Sequence, residues 1–268
     1  MCMNGECLLV DVEDGIATLA LNRPESGNAI DLPLAQALMR AAIRCDQDPA
    51  IRCVVLTGMG RLFCTGGDLG SFGAVGNDLP GFLSELAGTL HLALSRLMRM
   101  PKPLLVLVNG PAAGAGFSLA IAGDIVLAGR SAHFTPAYGA VGLSPDGGMS
   151  WQLPRLVGVR RALEMLLLNQ RVRAEEALAI GLINRVVNDE DLANEGRTMA
   201  RTLVESATKA LAASRELLLE SFHGEFEAHL EREARSIAAL GAGVEACEGI
   251  RAFTERRKPR FVQDTEIG

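Results

Sequence analysis

Residues 109–124, NGPAAGAGFSLAIAGD, are too apolar for a solvated loop and too rich in glycine for an ordinary helix. The residues before them, PLLVLVNG, form a continuous apolar run of the length of a buried strand. PAAGAG then turns the chain with the smallest side chains available, and FSLAIAGD predicts a buried helix. The first N–H groups of a helix have no partner within it. With Gly114, Ala115 and Gly116 at that mouth, a ligand could approach the backbone donors closely, which suits an anion or a carbonyl oxygen. Close packing between helices explains small residues equally well.

Outward from this junction, strands and helices alternate. Residues 7–21 read as two strands around an Asp14-Gly15 turn. A helix is predicted from about Leu32, with Asp31 as its cap and Pro33 in its first turn. IRCVVLTGMG is a strand ending in glycines, and LMRMPKPLLVLVNG ends one helix at its prolines before starting the next strand. Crossover connections and uniformly apolar strands suit a sheet covered on both faces, an α/β arrangement. Beyond Arg160 the pattern becomes helical, through RRALEMLLLN, AEEALAIG, residues 191–222, and two helices at about 224–240 and 243–257. That end is too small for a core of its own. It predicts residues 1–200 as the core and residues 201–268 as a helical extension that covers the core or a neighbouring subunit.

In the 268 residues, 49% hydrophobic and 22% charged content indicates a packed globular chain. A formal charge of −6 disfavours a nucleic-acid surface, while the local ERRKPRF patch suits one phosphorylated small ligand. The first residues lack the pattern of a secretory signal and no run reaches the length of a membrane span, so a soluble cytoplasmic protein is expected. The six cysteines form no CxxC pair and the four histidines have no metal-ligand spacing, so reduced thiols and no metal are expected.

Two further turns resemble the first. In GRLFCTGGDLGSF, residues 60–72, Gly66 and Gly67 permit a sharp turn with exposed N–H groups, and DLGSF can begin a helix. It matches neither a dinucleotide fingerprint nor a phosphate-binding lysine loop. In YGAVGLSPDGGMSWQLPRLVG, residues 138–158, Asp146 occupies a Pro-Asp-Gly-Gly turn, where aspartate is often only a turn former. Trp151 and Leu153 are expected to pack beneath it.

The order and spacing of LNRPESGNAI, VVLTGMGRLFCTGGDL, KPLLVLVNGPAAGAG, GLSPDGGMSWQLPRLVG, EEALAIGLINRVV and EGIRAFTERRKPRF resemble the crotonase, or enoyl-CoA hydratase/isomerase, family over nearly the whole chain. The resemblance implies an α/β fold of the ClpP/crotonase type. This is a spiral of strand-strand-helix repeats, not a doubly wound sheet, with a helical C-terminal region that joins subunits into a homotrimer or homohexamer. It implies an acyl-CoA thioester as substrate, with coenzyme A part of that substrate and no separate cofactor. Gly67 and Ala115 match the two residues whose N–H groups bind the thioester oxygen and stabilise an enolate.

Family hydratases hold water between two glutamates. Their places here fall on Ser118 and on Ala137 or Tyr138, none of which is a ready base at neutral pH. Asp146 matches the acid/base of the phenylacetyl-CoA-pathway isomerases and also the nucleophile of the 4-chlorobenzoyl-CoA dehalogenases. His91 matches a dehalogenase histidine, and reads either as a pocket or core residue or as an assistant to Asp146. The dehalogenases' ring-packing tryptophan falls on Tyr138, and 4% aromatic residues would make a sparse cradle for a benzoyl ring. The reading favours an isomerase with Asp146 as proton shuttle. It leaves open a hydratase with a non-standard site, dehalogenase-like chemistry, and a catalytically silent acyl-CoA binder or scaffold. By resemblance, Arg23 and the backbone near Ala29 are assigned to the pantetheine and phosphate arms of coenzyme A, Thr65 and Gly66 to the adenine, Asp68 to the coenzyme A site, and Lys258 and Phe261 to the adenosine end from the same or a neighbouring subunit. Residues 70–82 are expected to wall the acyl pocket.

Overall fold

The computed structural model describes residues 6–261. Strands β1 (Leu8–Glu13) and β2 (Ile16–Leu21) form the expected hairpin, with Asp14 and Gly15 at φ 49° and 77°. Two consecutive positive φ values match the twist of the flanking strands. Helix α1 (Leu32–Gln47) is capped as read, the Asp31 carboxylate accepting the Leu34 N–H at 2.9 Å.

Strands β3 (Cys53–Gly58), β4 (Leu104–Val108), β6 (Ile125–Gly129) and β9 (Arg185–Val187) continue the sheet, separated by α2 (Leu69–Ala74), α3 (Leu79–Arg99), β5 (Ala112–Ala113), α4 (Ala115–Ile121) and further elements. The sheet order is β1-β2-β3-β4-β6-β9, with every neighbour parallel from β2 onward. Strands are added in chain order without reversal, so there is no switch point of the doubly wound kind. A second, shorter ladder runs alongside. Ile30 bridges to Gly67, Cys64 to Ala112, and β5 pairs with β7 (His133–Thr135), which takes β8 (Val172–Arg173) on its other side. Each turn of the chain thus lays one strand in the large sheet and a short one in the small ladder, giving a spiral.

Alternation decides which side chains each layer receives. Val54, Leu56, Leu104, Val106 and Val126 belong to the main core with α1, α3 and α4. Cys53, Val55, Leu105, Leu107 and Leu127 form a second core with Leu192, Ala200 and Val204 of α8 (Leu192–Val204). Full burial of each Leu or Val is worth about 1.5–3 kcal/mol, so both faces of the sheet are needed. Gly196 lets α8 come close, since a Cβ there would stand 2.4 Å from a Leu107 methyl. Burial raises the Cys45 thiol to about 11 and those of Cys53 and Cys64 to about 12, so these thiols stay protonated at neutral pH.

The rest of the chain is largely helical: α5 (Met149–Val157), α6 (Val159–Leu167), α7 (Ala174–Ala179), α9 (Thr208–Glu220), α10 (Phe226–Gly241) and α11 (Val244–Thr254). The stretch 191–222 splits into α8 and α9. Arg52 accounts for the break, donating from Nε to the Val204 carbonyl and from Nη2 to the Ser206 carbonyl, each at 2.9 Å. Leu153 is buried. The Trp151 ring stacks with His223 and has the Arg155 guanidinium 4.0 Å from its centre, lining a hollow with Gly147 and Gly148 of the Asp146 turn. Among the described residues no helix is long and apolar enough to cross a membrane.

Candidate active site

The first two glycine turns lie against each other. Gly66 has φ +96°, a conformation that side chains rarely adopt, and a Cβ there would stand 2.9 Å from the Ala113 carbonyl oxygen and 3.4 Å from the Ala115 nitrogen. Ile30 donates its N–H to Gly66 O at 2.7 Å and accepts from Asp68 N at 3.0 Å, so the ladder on that side leaves the Gly67 N–H unused. Ala115 opens α4 just after Gly114, at φ 52° and ψ −128°. Among the described residues neither Gly67 N–H nor Ala115 N–H finds an acceptor, and both residues line a cavity of about 260 Å³.

Leu69 and Phe72 of α2 and Leu83, Leu86 and Leu90 of α3 form the apolar wall, so residues 70–82 supply part of the lining as read. Gly67 must be small here for a second reason, since a Cβ would stand 2.5 Å from the edge of the Phe72 ring. Among the described residues, Asp146 is the only charged side chain lining the cavity.

The places where carboxylates were missing have another use. Ser118 is fully buried and donates from Oγ to the Asp146 carbonyl at 2.9 Å. Tyr138, 9% exposed, donates its hydroxyl to Asp146 Oδ1 at 2.7 Å, and the two hydroxyl oxygens are 3.1 Å apart. Burial, followed by the Asp146 charge, pushes the Tyr138 phenol up, so it remains a neutral donor. Behind the turn, Gly147 donates its N–H to His91 Nε2 at 3.0 Å, and Gly147 packs so tightly that a Cβ would stand 2.7 Å from Ser118 Cβ. His91 therefore braces the turn from α3; it lines a neighbouring hollow with Trp151 and His223 rather than the cavity itself.

The residues read for coenzyme A separate into two groups. Thr65 and Gly66 line the cavity beside Gly67. Arg23, Ala29 and Asp68 meet one another: the Arg23 guanidinium donates to the Ala29 carbonyl and pairs with Asp68 at 2.9 Å and Asp31 at 3.1 Å. Burial opposes ionisation of Asp68, but hydrogen bonds from Arg23 and from the Ser71 and Gly70 N–H groups hold its carboxyl below the usual range. The Arg23 charge is thus taken up inside the chain, where it ties the start of α1 to the Gly67 turn. Lys258 and Phe261 are not brought to the cavity of their own chain. Lys258 is exposed and pairs with Glu205 at 2.9 Å, and both tail residues line a separate groove. Among the described residues no three of His, Cys, Asp and Glu are grouped to hold a metal ion.

Sequence reasoning assigned Tyr138 and Ser118 no role of their own. Their signal was two hydroxyl residues at positions where paired carboxylates were expected, one of them the single tyrosine of the chain.

The family model described as enoyl-CoA hydratase/isomerase matches residues 11–264. A probable enoyl-CoA hydratase of Rhodobacter capsulatus is 38% identical over 259 residues, covering 97% of this chain and 99% of its own. The 1,2-epoxyphenylacetyl-CoA isomerase of Escherichia coli is 37% identical over 264 residues, covering 96% and 98%. The crystal structure of an enoyl-CoA hydratase from a Polaromonas species superposes with a TM-score of 0.90 at 35% identity, covering 94% of this chain and 98% of that one. The chain belongs to the enoyl-CoA hydratase/isomerase family and has the crotonase fold.

Proposed function

We propose that the protein isomerises an acyl-CoA thioester through an enolate, with Gly67 and Ala115 N–H groups as the oxyanion hole and Asp146 as the proton shuttle. The observation that carries this reading is that, among the described residues, Asp146 is the only charged side chain lining a cavity to which two unused backbone donors belong. For a 3-enoyl thioester, the Asp146 carboxylate removes a proton from the α carbon, and the C–H electron pair moves into a dienolate whose oxygen the two N–H groups hold. The carboxylic acid then returns the proton to the γ carbon, and the double bond ends in conjugation with the thioester. One base and one oxyanion hole suffice.

Hydration in the manner of two carboxylates is disfavoured, because Ser118 and Tyr138 spend their hydroxyls on Asp146. The thioester arm passes Thr65 and Gly66, and the adenosine end meets Lys258 and Phe261 of a neighbouring subunit, which fits their distance from the cavity of their own chain. Phe226, Ile237, Ile250 and Phe253, exposed on α10 and α11, supply apolar surface for a trimer or hexamer. Residues 1–200 form the binding core, residues 201–268 the association region, and the cytoplasm is the compartment we assign.

Asp146→Asn keeps the size and removes the base. With a 3-enoyl-CoA in deuterated water, isomerisation and solvent deuterium uptake should fall together by about 10² to 10⁴, while affinity for the CoA ester stays within a few-fold. Wild-type exchange in that variant would return Asp146 to the role of a turn former. A covalent aryl ester trapped on Asp146 with a halobenzoyl-CoA would favour dehalogenase-like chemistry instead.

A further inference from the structure

Resting on that reading, we infer that Tyr138, braced by Ser118, is a positioning residue that holds Asp146 Oδ1, so that the migrating proton travels on Oδ2. Two hydroxyl protons serve contacts at 2.7 Å to the carboxylate, 2.9 Å to the Asp146 carbonyl and 3.1 Å between the hydroxyls. A bond to an ionised acceptor is the strongest of these, so the phenol proton goes to Oδ1 and the serine proton remains for the carbonyl. The carboxylate can then rotate only by breaking a partly buried, charge-assisted bond.

The backbone supports the same assignment. Ala137, immediately before Tyr138, sits at φ 64°, a left-handed conformation that is costly for a residue with a Cβ. Its N–H is pinned at 2.7 Å by the Asn169 side-chain oxygen. Strain kept at the residue that aims Tyr138 into the cavity is what a positioning role requires.

The titratable groups facing Asp146 are few. From the segment after β7 there is Tyr138, from α3 His91 through Gly147, and from α4 none, Ser118 being its contact. Arg155 of α5 is stacked on Trp151. Losing the phenol donor therefore frees Oδ1, and with it the orientation of the carboxylate over the cavity.

Tyr138→Phe should lower kcat about 10-fold to 100-fold with KM within about threefold. In an Asp146→Asn background the same change should add nothing to the residual loss. Because the chain holds a single tyrosine, growth on 3-fluorotyrosine places one fluorine reporter at Tyr138 in the otherwise unchanged enzyme. Its ¹⁹F signal at neutral pH should move clearly in Asp146→Asn, where the phenol loses its ionised acceptor. Wild-type kcat in Tyr138→Phe, or a ¹⁹F signal that Asp146→Asn leaves in place, overturns the inference, the latter even where Tyr138→Phe does not fold. An Asp146→Asn enzyme with full turnover would instead overturn the shuttle, while leaving the ¹⁹F signal to report the pairing by itself.

Discussion

The two halves of the cavity use different parts of the polypeptide. Around Gly67 and Ala115 the backbone supplies the donors, and the side chains need only be small enough to stay out of the way. Around Asp146 the backbone supplies a turn, and four side chains decide what happens: the aspartate, Tyr138 and Ser118 in front, and His91 behind. The first half should therefore tolerate changes of side-chain identity and fail on changes of backbone geometry. The second should show the reverse.

The largest effect that would break this contrast lies at Gly66. Gly66→Ala places a methyl group 2.9 Å from the Ala113 carbonyl in a conformation that alanine resists, so the two turns must separate. Turnover should fall about 10² to 10³, the usual cost of losing an oxyanion donor, with the Tyr138–Asp146 contact unchanged because Asp146 keeps its partners. Steady-state kinetics and the ¹⁹F signal of the fluorotyrosine enzyme would check both parts, and a displaced ¹⁹F signal would show that the halves are coupled.

A middle effect tests what holds the backbone half in place. Arg23→Met leaves Asp31 and Asp68 without their shared cation in a setting where the side chains are 6% and 18% exposed. Denaturant unfolding should show a loss of about 3 kcal/mol, at the low end for breaking a buried pair. The pH dependence follows from Asp68, whose carboxyl is lowered in the folded chain. Its contribution is present above the unfolded carboxylate value of about 3.9 and is lost as pH falls through the lower folded value. The wild-type melting temperature should therefore hold down to about pH 4 with respect to this group and decline below it. In Arg23→Met, where the guanidinium no longer opposes burial, that decline should be smaller, so the gap between the two proteins narrows as pH falls.

The smallest effect sharpens the comparison from the other side. Ala115→Gly alters a side chain at a position where only the N–H is used, and kcat/KM should stay within about threefold of wild type. A loss comparable to that of Gly66→Ala would mean that the Ala115 methyl group itself shapes the reacting pose.

Much of this was readable in the chain itself, for identifiable reasons. Apolar runs such as residues 103–108 could only be buried strands, Asp31 sat where a helix cap belongs, and Gly66 and Gly67 marked a turn that no larger residue could make. Strand order was not readable from periodicity, because a doubly wound sheet and a spiral share the same alternation of strands and helices; only the resemblance separated them. The break between α8 and α9 depends on Arg52, 152 residues before the carbonyl at Val204, and no local pattern carries that information. Within the site, Asp146 stood out through its turn, whereas Tyr138 and Ser118 stood out only as the wrong residues for another reaction. Their use depends on three separate stretches meeting at one hydroxyl pair. The internal pairing of Arg23 was hidden for a related reason: its charge partners, Asp31 and Asp68, become neighbours only when the ladder between Ile30 and Gly67 forms.

The spiral also sets the order in which a working site can come into being. Gly67 follows β3, Ala115 follows β4 and Tyr138 follows β6, so successive coils each bring one component, with Asp146 arriving on the last of them. A chain emerging from the ribosome can therefore stack the two unused backbone donors before the Asp146 turn exists. Each coil contacts chiefly its neighbours, as in a solenoid, so a lineage could exchange the segment after β6 and inherit a different polar side chain over the cavity while keeping the backbone donors intact.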